Sequence, residues 1–171
     1  MSIELLKNRR SVRAYESRQI TDEELDAVLE AGTYAPTGMN RQSPLIVAIQ
    51  DPEIIRRLEQ ENGAVMGNPQ GHPFYAAPTL VVVFADSTVP TGMEDACLVM
   101  GNLLNAAAAV GLGSCWIHRA KEEFQSGYGR SLMAAWGLDE KYVGVGNCIL
   151  GYPAEIPAPK PRKEGYVRII K

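Results

Sequence analysis

The sequence predicts a mixed fold in which helices and strands do not strictly alternate. Three segments carry that expectation: a capped amphipathic helix near residues 21–32, a β-branched run at 80–84 with no polar break, and a long stretch at 96–117 without a charged side chain. A chain of 171 residues favours a single domain, residues 1–171, and can bury its own core. With 46% hydrophobic and 22% charged residues the composition is that of an ordinary globular protein. The net charge of −3 argues against a nucleic-acid or anionic-membrane partner, since both favour a basic surface.

Residues 2–8 predict a short helix, followed by the basic run Arg9-Arg10-Ser11-Val12-Arg13. Thr21 and Glu24 have capping-box spacing, Ile20 and Leu25 can form a hydrophobic staple, and Gly32 is a natural stop. A loop rich in Pro, Gly, Asn and Gln spans 34–44, and residues 45–49 predict a strand. Asp51 followed by Pro52 opens a helix ending near Gly63. A second loop occupies 67–78, and the run at 80–84 reads as a central strand buried on both faces.

The uncharged stretch is long enough to span a bilayer, yet it holds Asn102, Asn105 and several glycines. It is read as a buried helix from Met93 to Val110, a Gly111-Leu112-Gly113 turn and a strand at 114–118. A helix apolar all round is buried all round, which a chain of this size achieves by pairing with a second copy. Helix at 121–136 is expected to break around Gly127 and Gly129, and 143–150 predicts a strand. Four prolines make residues 153–161 extended, so that 153–171 forms an arm ending in a β-prone segment at 166–170. The absence of an apolar leader and the odd count of three cysteines point to a reducing cytoplasm.

Four segments could carry chemistry. Arg9, Arg10, Ser11 and Arg13 suit a dianionic phosphate, although such runs are more often solvated turns. Lys160 and Arg162, held by prolines, could complete that site. The Asn and Gln side chains of the loop containing Thr37, Asn40 and Gln42 suit the edge of a planar heterocycle, or serve the turn alone. The glycines of Gly111-Leu112-Gly113-Ser114-Cys115-Trp116 admit close backbone approach, but lack the third glycine and following helix of a dinucleotide fingerprint. His72 and His118 are far apart in sequence, and neither a catalytic triad nor a metal cluster is expected.

In this order the motifs Arg-Arg-Ser-Val-Arg, Ala-Pro-Thr-Gly-Met-Asn-Arg-Gln, Gly-Leu-Gly-Ser-Cys-Trp, Leu150-Gly151-Tyr152-Pro153 and the late basic pair resemble the FMN-dependent nitroreductase family along nearly the whole chain. The resemblance implies an α+β fold with three α/β/α layers around a mixed, mainly antiparallel sheet. It implies a homodimer with the C-terminal strand exchanged and two FMN sites at the subunit interface. It assigns Arg9, Arg10, Ser11, Lys160 and Arg162 to the phosphate side of FMN and Arg13 to the N1 and C2 carbonyl edge of the ring. Thr37, Asn40 and Gln42 become polar contacts, with part of that loop coming from the other subunit. The Gly113–Ser114 backbone becomes the donor to flavin N5, with Trp116, Ile117 and His118 lining the cofactor and Asn68 and His72 at the edge of the substrate pocket. The implied reaction is ping-pong, from NAD(P)H through FMN to a small organic acceptor such as a nitroaromatic or quinone, with no side chain needed as a general acid. A flavin carrier or sensor without NAD(P)H turnover is the alternative.

Overall fold

The apolar runs of the four strands are each covered by packed helices or neighbouring strands. The computed structural model describes residues 3–171, so Ser2 of the expected 2–8 helix lies outside the described residues. In chain order the elements are α1 (Ile3–Asn8), α2 (Asp22–Thr33), a 3-10 turn (Gly38–Asn40), β1 (Leu45–Ile49), α3 (Pro52–Val65), β2 (Thr79–Asp86), α4 (Gly92–Ala109), β3 (Gly113–Ile117), α5 (Ala120–Gln125), α6 (Gly127–Ala135) and β4 (Tyr142–Gly151). The strands form one sheet in the order β1-β2-β4-β3, with every neighbouring pair antiparallel. The four strands are antiparallel throughout, and an isolated parallel bridge joins Ser11 to Ser114.

All eight residues of β2 are buried, and their alternation serves two cores. Val81, Val83 and Ala85 pack with Val28 of α2 and with Ala96, Met100 and Leu103 of α4. Leu80, Val82 and Phe84 pack with Leu58 of α3, Phe124 of α5, and Leu132 and Met133 of α6. The sheet thus lies between two helical layers, the α/β/α arrangement of an α+β fold. The Phe84 and Phe124 rings meet edge-on at 4.8 Å across the second core.

Helix α2 begins with the expected capping box. The Thr21 hydroxyl accepts from the Glu24 N–H at 3.2 Å, and the Glu24 carboxylate accepts from the Thr21 N–H at 2.9 Å. The same carboxylate accepts from the Tyr152 hydroxyl at 2.5 Å, tying the helix start to the residue after β4. That hydroxyl, more than Thr21, holds the Glu24 carboxyl below its ordinary pKa. The second helical break falls beside Gly127, as expected. The interruption falls at Ser126, which ends α5 and caps α6 through the Gly129 N–H at 3.0 Å. Gly129 sits inside α6 because its Cα packs directly on the backbone of Glu123 and Phe124.

Two segments expected to meet a second copy are open in the single chain. Helix α4 is not buried all round: Gly92, Asp95, Ala96, Val99, Met100, Leu103, Ala106 and Ala107 are buried, while Leu98 is 48% exposed. Cys97, Gly101, Leu104, Asn105 and Ala108 are only partly covered. Residues 166–170 form no strand, because no neighbour lies beside them to complete a hydrogen-bonded ladder. Their apolar side chains are open to solvent, Ile170 at 91%.

Replacing Thr21 by Ala removes one half of the capping box. It is expected to destabilise the chain by about 1 kcal/mol, measured as a shift in the urea unfolding midpoint at unchanged slope.

Candidate functional site

The basic run is fixed in space by its one apolar member. After α1 the Arg9 N–H bonds back to the Leu5 carbonyl at 2.9 Å. The following residues then lie along the sheet edge: the Val12 N–H donates to the Ser114 carbonyl of β3 at 3.0 Å. The Glu16 N–H donates to Tyr152 and the Ala154 N–H to Ala14, both at 2.9 Å. The Val12 side chain is buried against Gly113, where a Cβ would stand 3.0 Å from it. Glycine at 113 is therefore a requirement of close approach. With Val12 turned inward, Ser11 and Arg13 face away from the sheet.

This placement gathers the predicted cations. Arg9, Arg10, Ser11 and Arg13 line a groove of about 640 Å³ together with Lys160 and Arg162 from the arm. No carboxylate lines it. A smaller recess of about 170 Å³, lined by Arg9, Arg10, Val12, Gly113, Ser114 and Pro153, adjoins it. Arg10 donates to the carbonyls of Lys7 at 2.8 Å and Arg9 at 2.9 Å, which orients its guanidinium. Yet Arg9 Nη1 and Arg10 Nε are buried without an acceptor. An unmet buried donor costs about 1–3 kcal/mol, so two of them beside an acid-free groove describe a site for an anion rich in oxygen acceptors.

From this cationic end β3 runs to Ile117, about 13 Å at strand rise. Trp116 is half-buried over Gly146, and its indole N–H is also buried without an acceptor. Ile117 is buried and His118 exposed. The chain then turns through Arg119, which holds φ +79. Beneath that turn lies a buried polar cluster that the sequence reading did not single out. The Asn62 amide donates to the His118 carbonyl at 2.7 Å and to the Glu123 carboxylate. Arg119 Nε donates to Asn62 Oδ1 at 2.9 Å, and the Asn147 amide donates to both Glu123 oxygens at 3.0 and 2.9 Å. The signal for it was Asn147, a polar residue in the middle of an otherwise apolar strand.

Other predicted residues lie elsewhere. Thr37, Asn40 and Gln42 sit beyond the opposite end of α4, where Asp95 accepts from the Gly38 N–H at 2.9 Å and from the Thr91 hydroxyl at 3.0 Å. Ala108, which lines the cationic recess, is thirteen residues further along the same helix, a separation of about 20 Å. The loop therefore does not join Arg9 in one chain. It is tightly bent: Met39, Asn40 and Gln42 all have positive φ, and the Thr37 hydroxyl accepts from the Gln42 N–H at 3.0 Å. His72 is exposed and faces Glu59 at 3.3 Å, and Asn68 closes the turn after α3 by donating its N–H to the Gly63 carbonyl at 2.9 Å. Neither lines the cationic groove. A separate cavity of about 430 Å³ lies between α5, α6 and the start of β4, lined by Phe124, Met133, Leu138 and Val143 with Lys121 and Arg130. None of the predicted residues borders it. Among the described residues no helix is long and apolar enough to cross a membrane.

An antiparallel sheet between two helical layers, with a cationic groove beside its β3 edge, defines an α+β fold. Residues 6–152 match the nitroreductase family, and the chain belongs to that family. A nitroreductase with bound FMN from Bacteroides fragilis superposes with a TM-score of 0.90 at 28% identity, covering 99% of this chain and 98% of that one. A second, also with bound FMN, from Desulfitobacterium hafniense, gives 0.87 at 25% identity with both chains fully covered. The FMN reductase [NAD(P)H] of Bacillus subtilis is 25% identical over 183 residues, covering 94% of this chain and 69% of that protein.

Burial raises the Glu123 carboxyl from its ordinary 4.5 to about 7, against the pull of the Asn62 and Asn147 amides and Arg119; Glu122 adds to the rise. The folded value lies above the unfolded one, so the folded chain holds an extra proton between them. The contribution of this group to stability accordingly falls as pH rises from 4.5 to about 7. Glu123→Gln should flatten that slope. The measurement is the difference in unfolding free energy between wild type and variant across this pH range, with wild type losing ground toward neutral pH.

Proposed function

We propose that the chain is an FMN-dependent oxidoreductase that takes electrons from NAD(P)H, passes them to a small organic acceptor such as a nitroaromatic or quinone, and works as a homodimer. The observation that carries this reading is the pair of buried, unmet guanidinium donors at Arg9 and Arg10 in a groove that Lys160 and Arg162 close from the far end of the chain. The donor set fits a phosphate monoester: permanently charged arginines, the Ser11 hydroxyl, and no competing carboxylate. When bound, FMN supplies acceptance of hydride from NAD(P)H and its release to the acceptor, taken in turn at one site.

Within this reading Arg9, Arg10, Ser11, Lys160 and Arg162 hold the phosphate, and Arg13 places positive charge toward the ring. Trp116, Ile117 and His118 line the ring, and Trp116 offers an indole N–H that lacks an acceptor. Gly113 and Ser114 border the same recess as Arg9 and Arg10, so their backbone belongs with the phosphate. The expected N5-facing role therefore moves toward the end of β3.

The position of the polar loop supports the homodimer. Thr37, Asn40 and Gln42 reach a cationic groove only if a second copy brings its α4 start beside the first copy's α4 end. The open face of α4 around Leu98, Gly101 and Leu104 permits that antiparallel packing, and two-fold symmetry makes both sites at once. The exposed apolar tail at 166–170 is suited to add to the second copy's sheet, as a strand arm does.

The purified protein should be yellow, release FMN on denaturation, and lose its flavin band when NADH or NADPH is added without oxygen. A yellow protein that neither nucleotide bleaches would be a carrier or sensor, and a protein colourless even after FMN titration would overturn the reading. Replacing both Arg9 and Ser11 by Ala should weaken FMN binding by about tenfold to a hundredfold, read by fluorescence titration. Leu98→Arg should convert the dimer to a monomer in sedimentation equilibrium and lose FMN with it. A monomer retaining full FMN affinity would contradict the shared site.

A further inference from the structure

Past Ile117 the chain leaves the sheet in a single step. Arg119 takes the left-handed backbone conformation that a glycine would adopt without strain, so its surroundings must hold it there. The holder is Asn62, from α3. Its amide donates to the His118 carbonyl at 2.7 Å while its own carbonyl oxygen accepts from Arg119 Nε at 2.9 Å. One side chain thus grips both residues that flank the turn. Asn62 is itself fully buried and is oriented by Glu123, which accepts from its amide. Glu123 is oriented in turn by Asn147, which lies opposite Ile117 in the β3–β4 register. The cluster joins α3, the end of β3, α5 and β4.

Packing alone does not explain these residue types. Asn62, Glu123 and Asn147 are all completely buried, and an apolar trio of the same volume would avoid the desolvation of a carboxyl group. A polar chain of this kind fixes direction where an apolar contact fixes only distance. What it fixes is the last stretch of β3, the segment assigned above to the ring of the cofactor.

We propose that Asn62 and Glu123 are positioning residues for electron transfer: they set the His118 carbonyl and the Arg119 turn against the ring end of the cofactor groove, without touching substrate. The inference rests on the FMN reading of the site. It requires the geometry of the Glu123 side chain, an acceptor facing Asn62, rather than its charge. A half-turn of the Asn147 amide would bring its Oδ1, buried and without a donor, toward a neutral amide at position 123.

The experiment compares FMN-loaded wild type, Glu123→Leu, Glu123→Gln and Asn62→Asp. Asn62→Asp keeps size and an acceptor for Arg119 but loses the donor to the His118 carbonyl. Three quantities are read: FMN affinity, visible circular dichroism of the bound flavin, and the anaerobic rate of flavin reduction by NADH and NADPH per bound FMN. The expected result is FMN retained by the cations, altered flavin dichroism, and reduction slowed at least about tenfold in Glu123→Leu and Asn62→Asp, a scale set by small misplacement of reacting groups. Glu123→Gln should restore both the rate and the dichroism. If Glu123→Leu does not fold, Asn62→Asp against Glu123→Gln decides. Wild-type rate and dichroism per bound FMN in Asn62→Asp, with only a lowered unfolding midpoint, would make the cluster merely structural and overturn the proposal. A rate loss in Glu123→Gln equal to that in Asn62→Asp would overturn the geometric role. A wild-type protein that takes up no FMN would instead overturn the functional reading beneath it.

Discussion

The contact on which the rest of the site depends is that of Val12 with the first residues of β3. Its N–H donates to the Ser114 carbonyl, and its side chain fills the space that Gly113 leaves open. A string of like charges repels itself and would spread into water if left free. Anchoring the string through its one apolar member puts arginines on both sides of it and buries part of the Arg9 and Arg10 guanidinium groups. The energy comes from apolar burial and one backbone bond; the concentrated charge is its by-product. Without that anchor the groove, the recess and the meeting with Lys160 and Arg162 would all be lost together.

Much of this was legible in the sequence because it was written in short-range chemistry. Thr21 and Glu24 specify a capping box at three-residue spacing, and Asp51 with Pro52 specifies another helix start. The run at 80–84 announces a strand buried on both faces, and the cations of 9–13 and 160–162 share a groove as their chemistry suggested. What was not legible depends on long-range geometry. Nothing in the order of residues places Asn40 and Arg9 at opposite ends of one helix, because that follows from the packing of α1 against α4. The Asn62–Glu123–Asn147 cluster was missed for a related reason: Glu123 sits among Lys121 and Glu122 on what reads as a surface helix, and only the fold turns it inward. The tail at 166–170 shows β propensity, yet propensity without a neighbouring strand produces no strand.

The cationic groove and the turn after β3 are built on different physics. In the groove, charge and two guanidinium donors are left unmet. At the turn every donor of Asn62 is used, and the Arg119 backbone is held in a conformation it would not choose. The cations tolerate small displacements, because Coulomb attraction changes slowly with distance, whereas a hydrogen-bonded turn does not.

Helix α4 has a further meaning as a ruler. Its start holds the bent loop through Asp95, and its end borders the cationic recess at Ala108. The number of residues between these points sets both the spacing and the angular phase of the two features. One added residue would lengthen the span by about 1.5 Å and rotate one end against the other by about 100°. Side chains on the buried face could be exchanged for others of similar volume, but an insertion could not be absorbed. The length of this helix is therefore under a stricter constraint than its composition.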